Sequence, residues 1–162
     1  MERQNIKSLE DYKEILDKDK DSRAVFLDYI TINVTEFFRN PEFFKNLEKI
    51  LIESFESNNK KLKIWSAGCS CGCEPYTLAM LLEEMPLKYN YKIYATDIDD
   101  NMLARAKAGV YTKEELGGTD KKYIDKYLKV IKDNQYVVDH NLIKSYKELG
   151  LEKVSPFIYR KL

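Results

Sequence analysis

Apolar residues recur at helical spacing along the stretch that begins at Pro41. Asn40 can cap this helix, because its side chain accepts hydrogen bonds from backbone N–H groups, and proline is favoured at the first helical position. Residues 8–20 are polar and are also expected to be helical. The pattern therefore predicts that the chain opens with helices. The apolar positions after Pro41 are Phe43, Phe44, Leu47, Ile50 and Leu51.

Two short apolar runs predict buried strands, LKIWSAGC and YKIYATDID. The first is followed by an apolar helix that opens at Pro75. The second is followed by a helix that Asp99 or Asp100 can cap and Gly109 can close. Strand, loop, helix, strand and helix in this order are typical of a parallel sheet with a right-handed crossover.

The pattern is weaker after the second of these helices. Residues 120–131 are expected to be helical, residues 135–140 to form a strand, and residues 141–150 to be helical again. We therefore divide the chain into an N-terminal helical segment, residues 1–55, and an α/β domain, residues 56–162.

The composition is that of a globular protein, since 44% of the 162 residues are hydrophobic and 33% are charged. Lysine plus arginine and aspartate plus glutamate number 27 each, so a zero net charge gives no electrostatic reason to expect nucleic-acid binding. No apolar run approaches the ~20 residues of a membrane helix, and the charged N-terminus lacks the apolar core of a signal peptide. We therefore expect a cytoplasmic protein that neither binds nucleic acid nor inserts into a membrane.

Three cysteines stand at alternate positions, Cys69, Cys71 and Cys73, in a loop that also holds two glycines. A zinc site usually draws ligands from two separated pairs, and the chain has one histidine, His140. A redox role for Cys73 would need the lowered thiol pKa that a helix N-terminus can provide. The simplest interpretation treats the cysteines as small residues in a tight turn, and we expect no bound metal.

The glycine-rich loop lies between a predicted strand and a predicted helix, and Asp97 lies near the end of the next strand. Glycine lets a backbone approach a ligand closely, and a helix N-terminus offers free N–H groups. In nucleotide-binding α/β folds, an acidic residue after the second strand accepts hydrogen bonds from ribose hydroxyls. The arrangement fits an adenosine ligand at the carboxyl edge of the sheet, although Asp97 could instead cap a helix.

Three stretches taken together closely resemble the CheR family of chemotaxis receptor methyltransferases. They are ITINVTEFFRNPEFF, IWSAGCSCGCEPYTLAMLL and IYATDIDDNMLARAKAGVYTKEEL, and the similarity extends from Leu27 to Asp139. The resemblance implies an S-adenosylmethionine-dependent O-methyltransferase that forms a methyl ester on a glutamate of a receptor's cytoplasmic helices. S-adenosylhomocysteine would be the other product. The implied fold is α/β, a partial Rossmann-like methyltransferase domain of about three or four mainly parallel strands preceded by N-terminal helices.

The resemblance also assigns residues to the strand and loop side of the site. Ala67 and Gly68 would pass beneath the methionine part of the cofactor. Glu74 would occupy the acidic position of the loop. Asp97 would hold the ribose, and Ile98 would flank the adenine.

By the same resemblance, Asn33, Thr35 and Arg39 would line the cofactor site. A carboxylate nucleophile is already ionised near pH 7, so methyl transfer to it needs no general base and depends mostly on positioning. Arg39 is the candidate catalytic residue, because a guanidinium group pairs with a carboxylate through two hydrogen bonds and would orient the substrate.

The loop departs from the family's usual G-x-S-T-G-E-E-P-Y, since Cys71 replaces the threonine and Cys73 replaces the first glutamate. A neutral thiol cannot supply the lost charge, so Glu74 would have to pair with the cofactor's ammonium group. Losing a charge-assisted hydrogen bond costs about 1.5–3 kcal/mol, which is about tenfold to a hundredfold in affinity.

Family members continue beyond the last residue of this chain, with further cofactor contacts and the rest of the sheet. A sheet truncated on its C-terminal side would leave an unpaired edge and an uncovered apolar face. We therefore expect a homo-oligomer in which another chain completes the sheet. The alternatives to an active enzyme are a cofactor-binding or protein-interaction module that has lost catalysis, and a remnant that still folds.

Overall fold

A computed structural model of the chain describes residues 8–30, 35–57, 61–85, 90–139, 142 and 150–153. Asn33 lies outside these ranges, as do most of residues 141–150, for which the sequence predicts a helix. The contacts divide the chain into two compact units, residues 1–33 and residues 34–162. Among the described residues, no helix is both long enough and apolar enough to span a bilayer.

The first unit contains two helices, α1 (Leu9–Lys18) and α2 (Lys20–Ile30). Ser8 caps α1, since its side chain accepts a backbone hydrogen bond from the first turn (3.0 Å), and Asp19 caps α2 in the same way (3.0 Å). Tyr12 and Phe26 join the two helices through an edge-to-face contact, with ring centroids 5.7 Å apart. The helix predicted over residues 8–20 is therefore confirmed as α1.

The second unit alternates helices and strands, and its described strands form two sheets of three strands each. In chain order the elements are α3 (Pro41–Ser57), β1 (Lys61–Ala67), α4 (Cys73–Glu84), β2 (Asn90–Asp97), α5 (Asp100–Ala108), β3 (Val110–Thr112), α6 (Lys121–Tyr127), β4 (Leu128–Lys132), β5 (Gln135–Val138) and β6 (Gly150–Lys153).

The first sheet is parallel, with strand order β1-β2-β6. Ile64 on β1 lies opposite Ile93 on β2, and Ala67 lies opposite Thr96. The connecting helix α4 has nine of its 12 residues buried, as expected for a helix that packs into the core. The strand–helix–strand unit predicted from the sequence is confirmed, and with it the α/β class.

The helix α4 begins two residues earlier than the sequence predicts, at Cys73 rather than at Pro75. Gly72 precedes it with a φ of +93°, and the N–H of Tyr76 donates to the Gly72 carbonyl oxygen (3.1 Å). Proline is tolerated in a first turn because its missing N–H would have no partner within the helix. The glycine, and not the proline, therefore sets the start of α4.

The second sheet is antiparallel, with strand order β3-β5-β4. The helix predicted over residues 120–131 is wrong in its second half, since α6 ends at Tyr127 and β4 follows directly. β-branched residues such as Val130 suit a strand, and Asn134, with a φ of +59°, lies in the turn between β4 and β5. The strand predicted over residues 135–140 is confirmed as β5.

The helix α3 contributes to the core of the second unit. Phe44, Leu51 and Phe55 are buried in the same cluster as the apolar side chains of α4. The boundary between the compact units therefore falls before α3, whereas the division predicted from the sequence falls within its last turn. The assignment of residues 56–162 to a separate methyltransferase-like domain stays a prediction.

Candidate functional site

The loop between β1 and α4 folds back onto the end of β2. The N–H groups of Gly68 and Cys69 both donate to the carbonyl oxygen of Thr96, at 2.8 and 2.9 Å. Gly68 has a φ of +76° and is exposed. Among the described residues, no atom beyond its chain neighbours lies within 4 Å of the place where a Cβ would stand. The loop therefore leaves open space beside Gly68, at the carboxyl edge of the parallel sheet.

The carboxylate of Asp97, the last residue of β2, orders this loop. Asp97 is buried, and its two oxygens accept hydrogen bonds from the N–H groups of Ser70 (2.7 Å) and Asp99 (2.9 Å). Asp99 is the cap of α5, since its side chain accepts from Asn101 (2.8 Å) and Met102 (3.3 Å). An ionised carboxylate has about four acceptor positions. Asp97 therefore keeps capacity for further hydrogen bonds.

Three more of the predicted cofactor residues lie at the same edge of the sheet. Ala67 ends β1 and is exposed, and the half-buried Ile98 follows β2 directly. Glu74 is exposed in the first turn of α4, where its Oε1 accepts a hydrogen bond from the buried hydroxyl of Ser66 (2.6 Å). This bond holds a carboxylate close to the end of β1.

Residues 35–40, which we call the strap, belong to the motif ITINVTEFFRNPEFF. They pack beside the same loop. The side chain of Thr35 lies near the thiol of Cys73, at the start of α4, where it acts to lower the pKa of that thiol against the larger effects that raise it. The N–H of Phe38 donates to Oγ1 of Thr77, one turn further along that helix (3.1 Å). The predicted residue Thr35 therefore lies beside the cysteine loop, although the two are far apart in sequence.

Arg39 lies in the strap between two residues with left-handed backbones, Phe38 (φ +52°) and Asn40 (φ +61°). Residues other than glycine rarely adopt positive φ, and such strain clusters at functional sites. The ring of Phe38 packs on Tyr123, with centroids 4.4 Å apart, and this contact helps to hold the strained backbone. Arg39 itself is exposed.

The cysteines of the loop are buried free thiols. The sulfur atoms of Cys71 and Cys73 lie 3.6 Å apart. The hydrogen bond between them lowers the pKa of Cys71 and, together with burial, raises the pKa of Cys73. Burial and the charge of Asp97 raise the pKa of Cys69 to about 12. Cys73 is therefore uncharged at neutral pH and cannot replace the glutamate that the family places there.

In the part of the chain that the structure describes, the cysteines do not form a metal site with other side chains. No group of three or more histidine, cysteine, aspartate or glutamate side chains there could hold a metal ion. Cys71 and Cys73 instead belong to the main hydrophobic core, and Cys69 packs with Ala95 and Leu103. The thiols behave as small residues of a packed turn.

An ion pair beside the loop was not predicted from the sequence. Arg105 on α5 contacts Glu115 at 2.7 Å, and this interaction raises the pKa of the guanidinium group. Glu115 also accepts a hydrogen bond from the N–H of Thr112 (3.0 Å), and its Oε1 lies 3.7 Å from the sulfur of Cys71. The pair meets the loop only through tertiary folding, so no spacing in the sequence could have indicated it.

A groove of about 230 Å³ lies next to the strap but not at the loop. Its lining includes the apolar side chains of Phe38, Phe44, Leu81 and Tyr123. No residue that we predicted to bind the cofactor lines this groove. The open edge at Gly68 and Asp97 therefore remains the candidate site.

The residues at this edge and in the strap include groups that suit an adenosyl ligand that carries an amino acid. Gly68 provides space for close approach, and Asp97 has acceptor capacity for ribose hydroxyls. Glu74 offers an exposed carboxylate to an ammonium group, and Arg39 offers a guanidinium group to a carboxylate. The described residues therefore contain a suitable group for each charged or polar part of such a ligand.

Comparison with known proteins shows the family to which the chain belongs. The family described as CheR methyltransferase, SAM binding domain, matches residues 33–149. A chemotaxis protein methyltransferase from Borreliella burgdorferi is 37% identical over 136 residues, which cover 77% of this chain and 48% of the relative. The protein of the same name from Listeria monocytogenes is 37% identical over 144 residues, which cover 80% of this chain and 53% of the relative.

A third relative, chemotaxis protein methyltransferase 1 from Pseudomonas aeruginosa, is 33% identical over 171 aligned positions, covering 93% of this chain and 62% of the relative. The chain spans about half the length of the first two relatives. The family match includes the whole strap, the cysteine loop and Asp97, which are the features that form the candidate site. On the sequence match and on this geometry together, the chain belongs to the CheR methyltransferase family.

Proposed function

We propose that this chain binds S-adenosylmethionine at the carboxyl edge of its parallel sheet and takes part in methylating glutamate side chains of chemoreceptors. The observation that carries the proposal is the combination of an open glycine turn at Gly68 with the buried carboxylate of Asp97. Membership of the CheR family and the names of the relatives support the same chemistry.

Each residue of the edge has a role in this proposal. Asp97 accepts hydrogen bonds from the ribose hydroxyls, and Ile98 lies against the adenine. Ala67 and Gly68 pass beneath the methionine part, because the loop has no side chain that would block it at Gly68. Glu74 pairs with the ammonium group, since the neighbouring Cys73 is uncharged.

The strap contributes the positioning of the substrate. S-adenosylmethionine, when bound, supplies a methyl group attached to a positively charged sulfur. Arg39 lines the amino-acid end of the cofactor and orients the substrate glutamate beside it, and Thr35 and Asn33 line the same part of the site. The glutamate is ionised near pH 7, so the protein has to orient it and has no proton to remove.

The partners follow from the family and from the sheet. We propose that the substrate is a cytoplasmic helix of a chemoreceptor and that the protein acts in the cytoplasm. Among the described strands, β1 pairs with β2 on one edge, and none pairs with its other edge. An unpaired edge of this kind recruits another strand, and we propose that a second copy of the chain supplies it.

The first test is calorimetric titration of the chain with S-adenosylhomocysteine. We compare the wild-type chain with Asp97→Asn, which loses the charge, and with Asp99→Asn, which loses a neighbouring charge but keeps the capping oxygen. We expect Asp97→Asn to lose about tenfold or more in affinity and Asp99→Asn to bind nearly as the wild type does. Absence of binding by the wild type at millimolar ligand would rule out the proposal.

The second test measures transfer of a radiolabelled methyl group to a purified cytoplasmic fragment of a chemoreceptor. A base-labile product would identify a methyl ester. Arg39→Lys keeps the positive charge but cannot form two parallel hydrogen bonds with a carboxylate. We therefore expect the rate of methyl transfer to fall by a larger factor than the affinity for the cofactor. Cofactor binding without any transfer would show that the chain is a binding module and not an enzyme by itself.

A further inference from the structure

Thr77 is a completely buried hydroxyl residue in the second turn of α4. Its Oγ1 donates to the carbonyl oxygen of Cys73 at 2.8 Å and accepts from the N–H of Phe38 at 3.1 Å. A hydroxyl group can do both, because it has one donor hydrogen and two lone pairs. Thr77 therefore links the strap to the start of α4 through a single side-chain atom.

The strap also passes the preceding turn of the same helix. Thr35, at the start of the strap, lies near the thiol of Cys73. Cys73 and Thr77 are four residues apart, so they lie on one face of the helix. The strap thus runs along two successive turns of α4, and Arg39 directly follows Phe38, whose N–H makes the hydrogen bond to Thr77.

The backbone of Phe38 makes this attachment important for the geometry of the strap. A φ of +52° is unfavourable for a bulky residue and persists only where the surroundings fix it. The hydrogen bond to Thr77 is made by the backbone of that same residue. Without it, a less strained backbone would move Arg39 away from its present direction.

We propose that Thr77 is a positioning residue, which fixes the strap so that Thr35 and Arg39 can meet the amino-acid end of the adenosyl ligand. This inference rests on the proposed function and adds to it a residue that acts through others. It predicts that Thr77 affects recognition of the amino-acid end and leaves recognition of the adenosine unchanged, since Asp97 and Ile98 belong to a different segment.

The test compares two ligands, S-adenosylhomocysteine and 5′-methylthioadenosine, which has the same adenosine but no amino-acid end. We expect Thr77→Val to lower the affinity for S-adenosylhomocysteine about tenfold and to leave the affinity for 5′-methylthioadenosine within about twofold of wild type. Thr77→Ser keeps the hydroxyl group, and we expect it to restore the ratio of the two affinities. If Thr77→Val does not unfold cooperatively, Thr77→Ala provides the same loss with a smaller side chain.

Thr119→Val is the matched control, because Thr119 is also buried and its hydroxyl donates to the carbonyl oxygen of Leu116. We expect it to leave the ratio unchanged. Equal losses for both ligands in Thr77→Val would mean that Thr77 is merely structural and would overturn the inference. Unchanged affinities for both ligands in Thr77→Val would also overturn it while the proposed function stands, and binding of neither ligand by the wild type would reject both.

Discussion

Gly72 lies where any side chain would be both strained and crowded. Its φ of +93° is unfavourable for residues with a Cβ, and an added Cβ would lie 2.9 Å from that of Ala106 and 3.1 Å from the hydroxyl of Tyr111. The same hydroxyl donates to the carbonyl oxygen of Cys71 at 2.7 Å, so it has little freedom to move. The turn before α4 is therefore fixed both by its backbone conformation and by its contacts.

We expect Gly72→Ala to lower the free energy of unfolding by about 2–4 kcal/mol, from backbone strain plus overpacking. The measurement is urea denaturation followed by circular dichroism. Gly68→Ala is the control, since Gly68 also has a positive φ but open space around it, and it should cost only about 1–2 kcal/mol. Equal losses in both variants would show that the contact with Ala106 does not matter.

Cys69 should make the protein less stable in alkaline solution. Its pKa is raised from an ordinary value of 9.0 to about 12, so above pH 9 the unfolded chain releases a proton that the folded chain keeps. The free energy of unfolding then falls as the pH rises towards 12, by up to about 1.4 kcal/mol per pH unit for one such group. Below pH 9 the contribution of this thiol is fully present.

The comparison is between wild type and Cys69→Ala, each unfolded in urea at pH 8 and at pH 10. We expect the variant to lose about 1 kcal/mol less than the wild type over this interval. Tyr76, whose pKa burial raises to about 12, contributes equally in both proteins and cancels. Identical losses would show that the thiol titrates in the folded protein as it does in the unfolded chain.

At the scale of elements, α6 is attached to α4 through one carboxylate. Glu84, the last residue of α4, accepts hydrogen bonds from the ammonium group of Lys126 and the hydroxyl of Tyr127, both at 2.5 Å. These bonds lower the pKa of Glu84. The resulting stabilisation is therefore present above the ordinary carboxyl pKa and is lost as the pH falls below it.

We expect Tyr127→Phe to cost about 1 kcal/mol of unfolding free energy at pH 7, because the buried hydroxyl bonds to a charged group. Lys126→Met is the matched comparison and should cost less than about 1 kcal/mol, since an exposed ion pair contributes little. The difference between wild type and Tyr127→Phe should shrink as the pH is lowered below the ordinary carboxyl range, because Glu84 loses its charge once it is protonated. A cost that stays constant over the whole acidic range would contradict the role of the carboxylate.

The elements that the sequence predicts well are those fixed by local pattern. The first strand–helix–strand unit follows from apolar runs separated by glycine, and α5 follows from its cap at Asp99 and its end at Gly109. β4 was missed because residues 128–132 alternate too weakly to exclude a helix, and pairing with β5 decides their conformation. Such pairing depends on residues further along the chain and leaves little local signal.

At the scale of the whole molecule, the candidate site also combines residues that a local motif identifies with residues that only tertiary contacts identify. Gly68, Glu74 and Asp97 could be identified because they stand at fixed places in a recognisable motif. Thr77 and Glu115 could not, since their importance lies in hydrogen bonds to the strap and in contact with the loop. The assignment of all these residues to a cofactor site stays a prediction, and Asn33 lies outside the described residues.

The edge of β1 that faces away from β2 is the surface through which we expect two copies of the chain to associate in solution. Trp65, the one tryptophan of the chain, lies on this strand with 46% of its surface exposed. We expect that a strand from a second copy, added at this edge, would cover part of its ring. Acrylamide quenching of its fluorescence should then weaken as the protein concentration rises, in step with the mass measured by sedimentation. Growth in mass with unchanged quenching would mean that the copies associate through another surface.

The hydrogen bond from the Ser70 N–H to Asp97 joins residues 27 positions apart. The loop can therefore take its final shape only after the second strand has paired with the first, since the acceptor arrives with that strand. Closing so long a segment has an entropic cost that must be met before the bond forms. On a ribosome, the loop between β1 and α4 would stay unformed until the chain beyond Asp97 had emerged. The loop therefore takes its final shape late in the folding of this region.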